Sequence, residues 1–230
     1  MIASRSPGSS RCASAVTLTA AAASGLTATD LGLRRDRLRS GLRLGSATAA
    51  PVLAAFALAA LTPATRPLLD DQRVAGLDAR QLAYQVLLRI PLGTVAWEEI
   101  AFRGVLHPAL RRVLPEPAAT VAASAVFGLW HIRPAAEALA ANRLTPSRGA
   151  RIAAVTAIAA GTAAAGALLS VLRERSGSLA APVLLHLAAN CTAPLAVALA
   201  AKGRTANRPR LRPDPVRSAG RRRARSRAGG

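Results

Sequence analysis

Residues 152–172 read IAAVTAIAAGTAAAGALLSVL, twenty-one residues without a charge, closed at either end by Arg151 and Arg173. An uncharged apolar run of about eighteen residues or more is long enough to cross the hydrocarbon core of a bilayer as a helix. Two other stretches have the same form. Arg43 and Arg66 bracket 22 uncharged residues, and Arg175 and Lys202 bracket 26. The 31 basic and 11 acidic side chains, a formal net charge of +20, are therefore gathered into blocks rather than scattered over a surface. With 51% hydrophobic residues, this pattern excludes an ordinary soluble domain, a collagen-like fibre and a wholly disordered chain. Two cysteines, Cys12 and Cys191, imply neither a disulfide framework nor a cysteine-based metal site.

Outward from that run, apolar stretches cover about 45–62, 81–97, 118–132, 152–172 and 178–201. The expected fold is all-α: a polytopic transmembrane helical bundle of about five to seven membrane segments, multi-pass in the cell membrane. Three regions follow: a basic, weakly apolar N-terminal region (1–44), a membrane core (45–201) and a basic tail (202–230). Residues 1–29 are open to three readings: a first span, a signal-like segment or a disordered leader. The tail has 11 basic residues and one acid, cannot bury a core, and reads as a solvated segment near anionic lipid. No nucleic acid partner is expected. The positive-inside tendency puts both the tail and the arginine block at 34–43 on the cytoplasmic side. That requires an even number of crossings between them, whereas five candidates are present, so one segment is irregular or one block lies outside. Residues 81–115 are the natural place for irregularity, because Pro91, Pro108 and Pro115 each predict a kink or break.

The informative residues are ionisable groups in apolar surroundings, which cost about 2.5–3.5 kcal/mol at mid-membrane on insertion scales and so default to function. Glu99 and Arg103 are four apart on one helical face, acid first, the favourable order for a pair. Glu98, about 100° round the helix, is left free to face elsewhere. His131 closes the third stretch, with Trp130 beside it as an interface anchor. His186 and Asn190, four apart in the last stretch, share one face. A free carboxylate can deprotonate water, and imidazole and amide donors can hold the oxyanion that forms at a carbonyl. Ligation of a divalent metal by the same His, Asn and Glu stays open; nothing in the sequence requires it, and no H-E-x-x-H is present. His107, before Pro108 and near Arg111 and Arg112, reads as a surface or interface residue. The polar groups of a non-catalytic membrane scaffold, or of an immunity or binding protein, would serve only to hold helices together. A small transporter would show internal repeats, and none is visible.

The ordered set Glu98-Glu99-x-x-x-Arg103, Phe127-x-x-x-His131 and His186-x-x-x-Asn190 resembles the CPBP family of intramembrane CAAX-prenyl-protease and bacteriocin-processing proteins, also called the Abi family. The likeness covers about 95–200. The entry Asp30-Leu31-Gly32-Leu33-Arg34-Arg35 is similar to that of many bacterial members. The resemblance implies hydrolysis of a peptide bond within the membrane. Glu98 would activate water, His131 would position it or stabilise the intermediate, and His186 with Asn190 would form the oxyanion pocket. Glu99 and Arg103 would hold the first motif in place. The partners implied are a peptide or protein substrate, which in some members is lipidated, and the bilayer itself.

Overall fold

The computed structural model describes residue 25 and residues 27–145 and 147–206, with side chains to 203. The expected leader lies almost wholly outside these residues, as does the tail beyond 206. Six helices make up the bundle: α1 Leu38–Leu61, α2 over 79–111, α3 Glu116–Trp130, α4 Ile132–Ala141, α5 Arg148–Ser176 and α6 Ala180–Ala206. No strand occurs among the described residues. Arg35–Leu61, Arg148–Ser176 and Ala180–Gly203 are each long and apolar enough to cross a membrane. At 1.5 Å per residue, α5 measures about 44 Å and α3 only about 22 Å.

The distribution of side chains is that of a protein bathed in lipid. Leu58, Leu87, Leu92, Val121, Leu129 and Ile152 each expose more than half of their surface. Arg103, His107 and Glu99 are among the largest side chains that are fully buried. Apolar groups outside and ions inside is the inverse of a water-soluble core, and it satisfies both solvents.

Small residues bring the helices together. Gly41, Gly45 and Ala49 form a buried small-residue stripe on α1 against the start of α6. A Cβ at Gly45 would lie 3.0 Å from the Ala181 Cα and carbonyl oxygen, so the backbones approach as closely as glycine permits. Leu169 and Leu172 of α5 complete this core with Ala181 and Leu185. Ser147 caps α5, its Oγ accepting from the Ala150 N–H (3.2 Å). Gly177, at φ +68°, ends α5 in the left-handed conformation that lets the chain turn at once into α6.

The contacts fix the direction of each pass. Gly41 meets Ser178 at the start of α6, whereas Gly203 near its end meets Arg66, whose Nε donates to the Ala60 carbonyl (3.0 Å). Thus α1 and α6 run parallel. Arg111 at the end of α2 reaches both Glu116, at the start of α3, and Glu174, near the end of α5. Among the described residues, α1, α3 and α6 therefore lead away from the end that holds Gly41, Glu116 and Ser178, and α2 and α5 lead back to it. An odd number of passes puts the block at 34–43 and the end of α6 on opposite ends.

Residues 79–111 form one continuous helix, not the broken segment that its prolines predict. It widens to π-type turns at Gln85–Arg89, Pro91–Ala96 and Ile100–Leu106. Such turns are rare and gather at functional sites. Pro91 has no N–H to offer the Val86 carbonyl five residues back, and the Cys191 thiol of α6 lies 3.5 Å from that oxygen as its donor.

Candidate active site

The third wide turn of α2 starts directly after Glu98 and Glu99, which are 3% and 0% exposed. Glu99 Oε1 accepts from one Arg103 amino group at 2.9 Å, the pair that the four-residue spacing predicts. The other Arg103 amino group donates to the Gly166 carbonyl of α5 (3.2 Å), and the guanidinium sits 4.2 Å from the centre of the Phe127 ring on α3. One buried cation thus joins three helices by a salt bridge, a charge-assisted hydrogen bond and a cation–π contact.

Each histidine has one ring nitrogen occupied. His131 ends α3, and its Nδ1–H donates to the Phe127 carbonyl one turn back at 2.6 Å. The Phe127 ring packs edge-on against the imidazole, with centroids 4.4 Å apart. The spacing Phe127-x-x-x-His131 is therefore one helical turn in which the first residue orients the last. On α6, His186 Nδ1 lies 2.7 Å from Glu99 Oε1. A carboxylate at Nδ1 fixes the ring and leaves Nε2 to face the site.

Both Nε2 atoms face the same carboxylate oxygen. Glu98 Oε2 is 3.8 Å from His186 Nε2 and 4.0 Å from His131 Nε2. These separations are too long for direct hydrogen bonds. A water about 2.8 Å from Glu98 Oε2 and from either nitrogen would bridge such a gap at an angle of about 90°. Glu98 Oε2 is buried and has no hydrogen-bond partner of its own. Trp130 lies beside Glu98 and stacks on Trp97, with ring centroids 5.3 Å apart.

Glu98, Glu99, Arg103, His131 and His186 are thus brought together in one cluster. Asn190 lies half-buried one turn beyond His186 and, among the described residues, makes no hydrogen bond to any of the five. His107 departs from the surface reading. It is fully buried on α2, with Nε2 3.0 Å from Thr120 Oγ1 and Nδ1 3.5 Å from Glu174. Among the described residues, no group of three or more His, Cys, Asp or Glu side chains is arranged to hold a metal ion. A groove of about 720 Å³ between α3 and α5 is lined by Ala125, Gly128 and Ile132, and none of the five clustered side chains lines it. The cluster itself is closed, and no side chain in it except Asn190 and Trp130 is more than 8% exposed.

Residues 80–192 match the family described as type II CAAX prenyl endopeptidase, Rce1-like. The segment is an Rce1-like domain of the CAAX protease family. The match takes in every residue of the three motifs, from Glu98 to Asn190, and excludes α1 and the last turns of α6. No curated protein and no solved structure gives a significant match. The Rce1-like family is one of peptidases that act on protein substrates in a membrane, and the apolar helices of this chain accord with that setting.

Proposed function

We propose that the Rce1-like domain hydrolyses a peptide bond of a membrane-associated protein, with water activated by Glu98. The carrying observation is the unpartnered Glu98 Oε2, buried and facing two imidazole Nε2 atoms at 3.8 and 4.0 Å. A buried carboxylate oxygen without a donor calls for one, and a water placed there is already oriented by the histidines. Glu98 takes a proton from that water as its oxygen attacks the scissile carbonyl carbon. The carbonyl electron pair moves onto oxygen. His186, held at Nδ1 by Glu99, presents Nε2 to this oxyanion, and the Asn190 amide on the same helical face is the second donor. His131 holds the attacking water through Nε2. Collapse of the intermediate breaks the C–N bond, and the proton held by Glu98 passes to the leaving amine. Glu99 and Arg103 touch no reacting atom; they position His186 and α2. Because the cluster is closed, substrate entry requires helices around it to part.

The test is Glu98→Gln, which preserves shape and the Trp130 contact but cannot accept the proton. Membranes from cells expressing wild type or this variant are compared by mass spectrometry for proteins with trimmed C-termini. Loss of the trimmed products with unchanged protein levels is expected. The same products at wild-type abundance would remove Glu98 as the base.

A further inference from the structure

A second polar feature lies at the end of the bundle where α1 begins and α2 and α5 finish. It is a cavity of about 560 Å³ walled by Arg34, Arg37, Arg111, Arg112, Arg173 and Arg175. Asp30 and Glu174 oppose them in its wall and are already engaged, and from beside it Asp36 pairs with Arg34 at 2.6 Å and Glu116 with Arg111 at 3.3 Å. Asp30 accepts from the Thr27 N–H and hydroxyl, each at 2.7 Å, and Glu174 accepts from Arg111 at 2.5 Å. Arg173 is spent on structure, since one amino group donates to the Thr29 and Asp30 carbonyls. Arg37 reaches no closer than 3.9 Å to Asp36, and Arg175 is exposed. Six arginines against these four carboxylates leave the wall a positive excess in a concave, partly apolar frame.

The position says what kind of anion would be there. Three helices fit to span a bilayer have ends at this cavity: the start of α1, the end of α5 and, across the Gly177 turn, the start of α6. The arginine block at 34–43 enters the bundle at the same end. A pocket at this level lies in the headgroup layer. Guanidinium groups match phosphate oxygens two at a time, and basic pockets between spans recognise anionic headgroups. We propose that this cavity is a binding site for the phosphate headgroup of an anionic phospholipid, separate from the Glu98 cluster and independent of its chemistry.

Soluble phosphate offers the same recognition chemistry, so the test has two arms. Full-length protein is placed in nanodiscs of zwitterionic lipid with increasing phosphatidylglycerol, or kept in neutral detergent with inorganic phosphate. Retained lipid is counted by native mass spectrometry, and melting is followed alongside. Wild type should retain phosphatidylglycerol and melt later. Arg37→Ala Arg175→Ala removes two cations that, among the described residues, make no hydrogen bond to another helix. At about fivefold per arginine near a charged surface, it should bind roughly thirtyfold more weakly. Arg148→Ala Arg151→Ala, at the opposite end of α5, should bind as wild type does. Equal retention by all three proteins would overturn the assignment, and so would stabilisation by inorganic phosphate with none from the lipid.

Discussion

Replacing Arg103 with methionine keeps most of the side-chain volume and removes a guanidinium that is 1% exposed. The Glu99 carboxylate, at 0% exposure, then keeps only His186 as partner, and the Gly166 carbonyl and Phe127 face lose theirs. Removing one member of a buried ion pair costs about 3–5 kcal/mol, because the other charge remains out of water. Adding Glu99→Gln removes that stranded charge while its amide oxygen can still accept from His186. The double variant should therefore be only about 1–2 kcal/mol below wild type, the loss of ordinary hydrogen bonds and packing. The expected coupling from the four-protein cycle is about 2 kcal/mol or more. Reversible unfolding in mixed detergent micelles measures it. The two tryptophans of the chain, Trp97 and Trp130, stack beside the site and report its loss by fluorescence. If Arg103→Met costs under about 1 kcal/mol, or single and double variants unfold together, the buried pair does not anchor α2 as argued.

Two other predictions concern the scaffold. Gly45→Leu should lower stability by about 1–3 kcal/mol through overpacking against Ala181 and Leu184; Gly76→Ala, in open space, should cost far less, and equal losses in the micelle assay would refute the close α1–α6 contact. Asp71, in the loop before α2, is pushed upward by burial, but the Arg73 side chain and N–H and the Asn142 amide outweigh this and hold its carboxyl below the usual range. Its contribution is thus complete above the unfolded value of about 3.9 and is lost as pH falls through the folded one. Between pH 6 and pH 3 the wild-type melting temperature should fall further than that of Asp71→Asn, and parallel curves would contradict the assignment.

Several of these contacts are legible in the sequence, for reasons that also mark the limit. The Glu99–Arg103 pair is local, so helical periodicity alone places it. Phe127 and His131 are likewise one turn apart. The second partner of Glu99 is not local. His186 lies 87 positions away, and whether Glu98 or Glu99 meets its Nδ1 depends on the roll of α2, which spacing cannot supply. The prolines mislead for a related reason. Pro91 and Pro108 are read as breaks when the turn is assumed to be α, but the wider turns around them absorb the missing donors, and 79–111 stays continuous. His107 looks like a surface residue beside arginines, yet the same face that buries Glu99 and Arg103 carries it inward to Thr120 and Glu174. Asn190 remains the least anchored member of the set, sharing a face with His186 without a contact to the others.

The wide turns of α2 also bear on how such a chain can change. Each accommodates one surplus residue inside a helix, where insertions and deletions are normally ruinous because every position beyond them swings by about 100°. Here Glu98 and Glu99 sit between two such slack points, with Arg103 inside the second. The azimuth of the acids can be retuned upstream and that of the arginine downstream without altering any loop. Length variation in this helix therefore adjusts aim rather than destroying it.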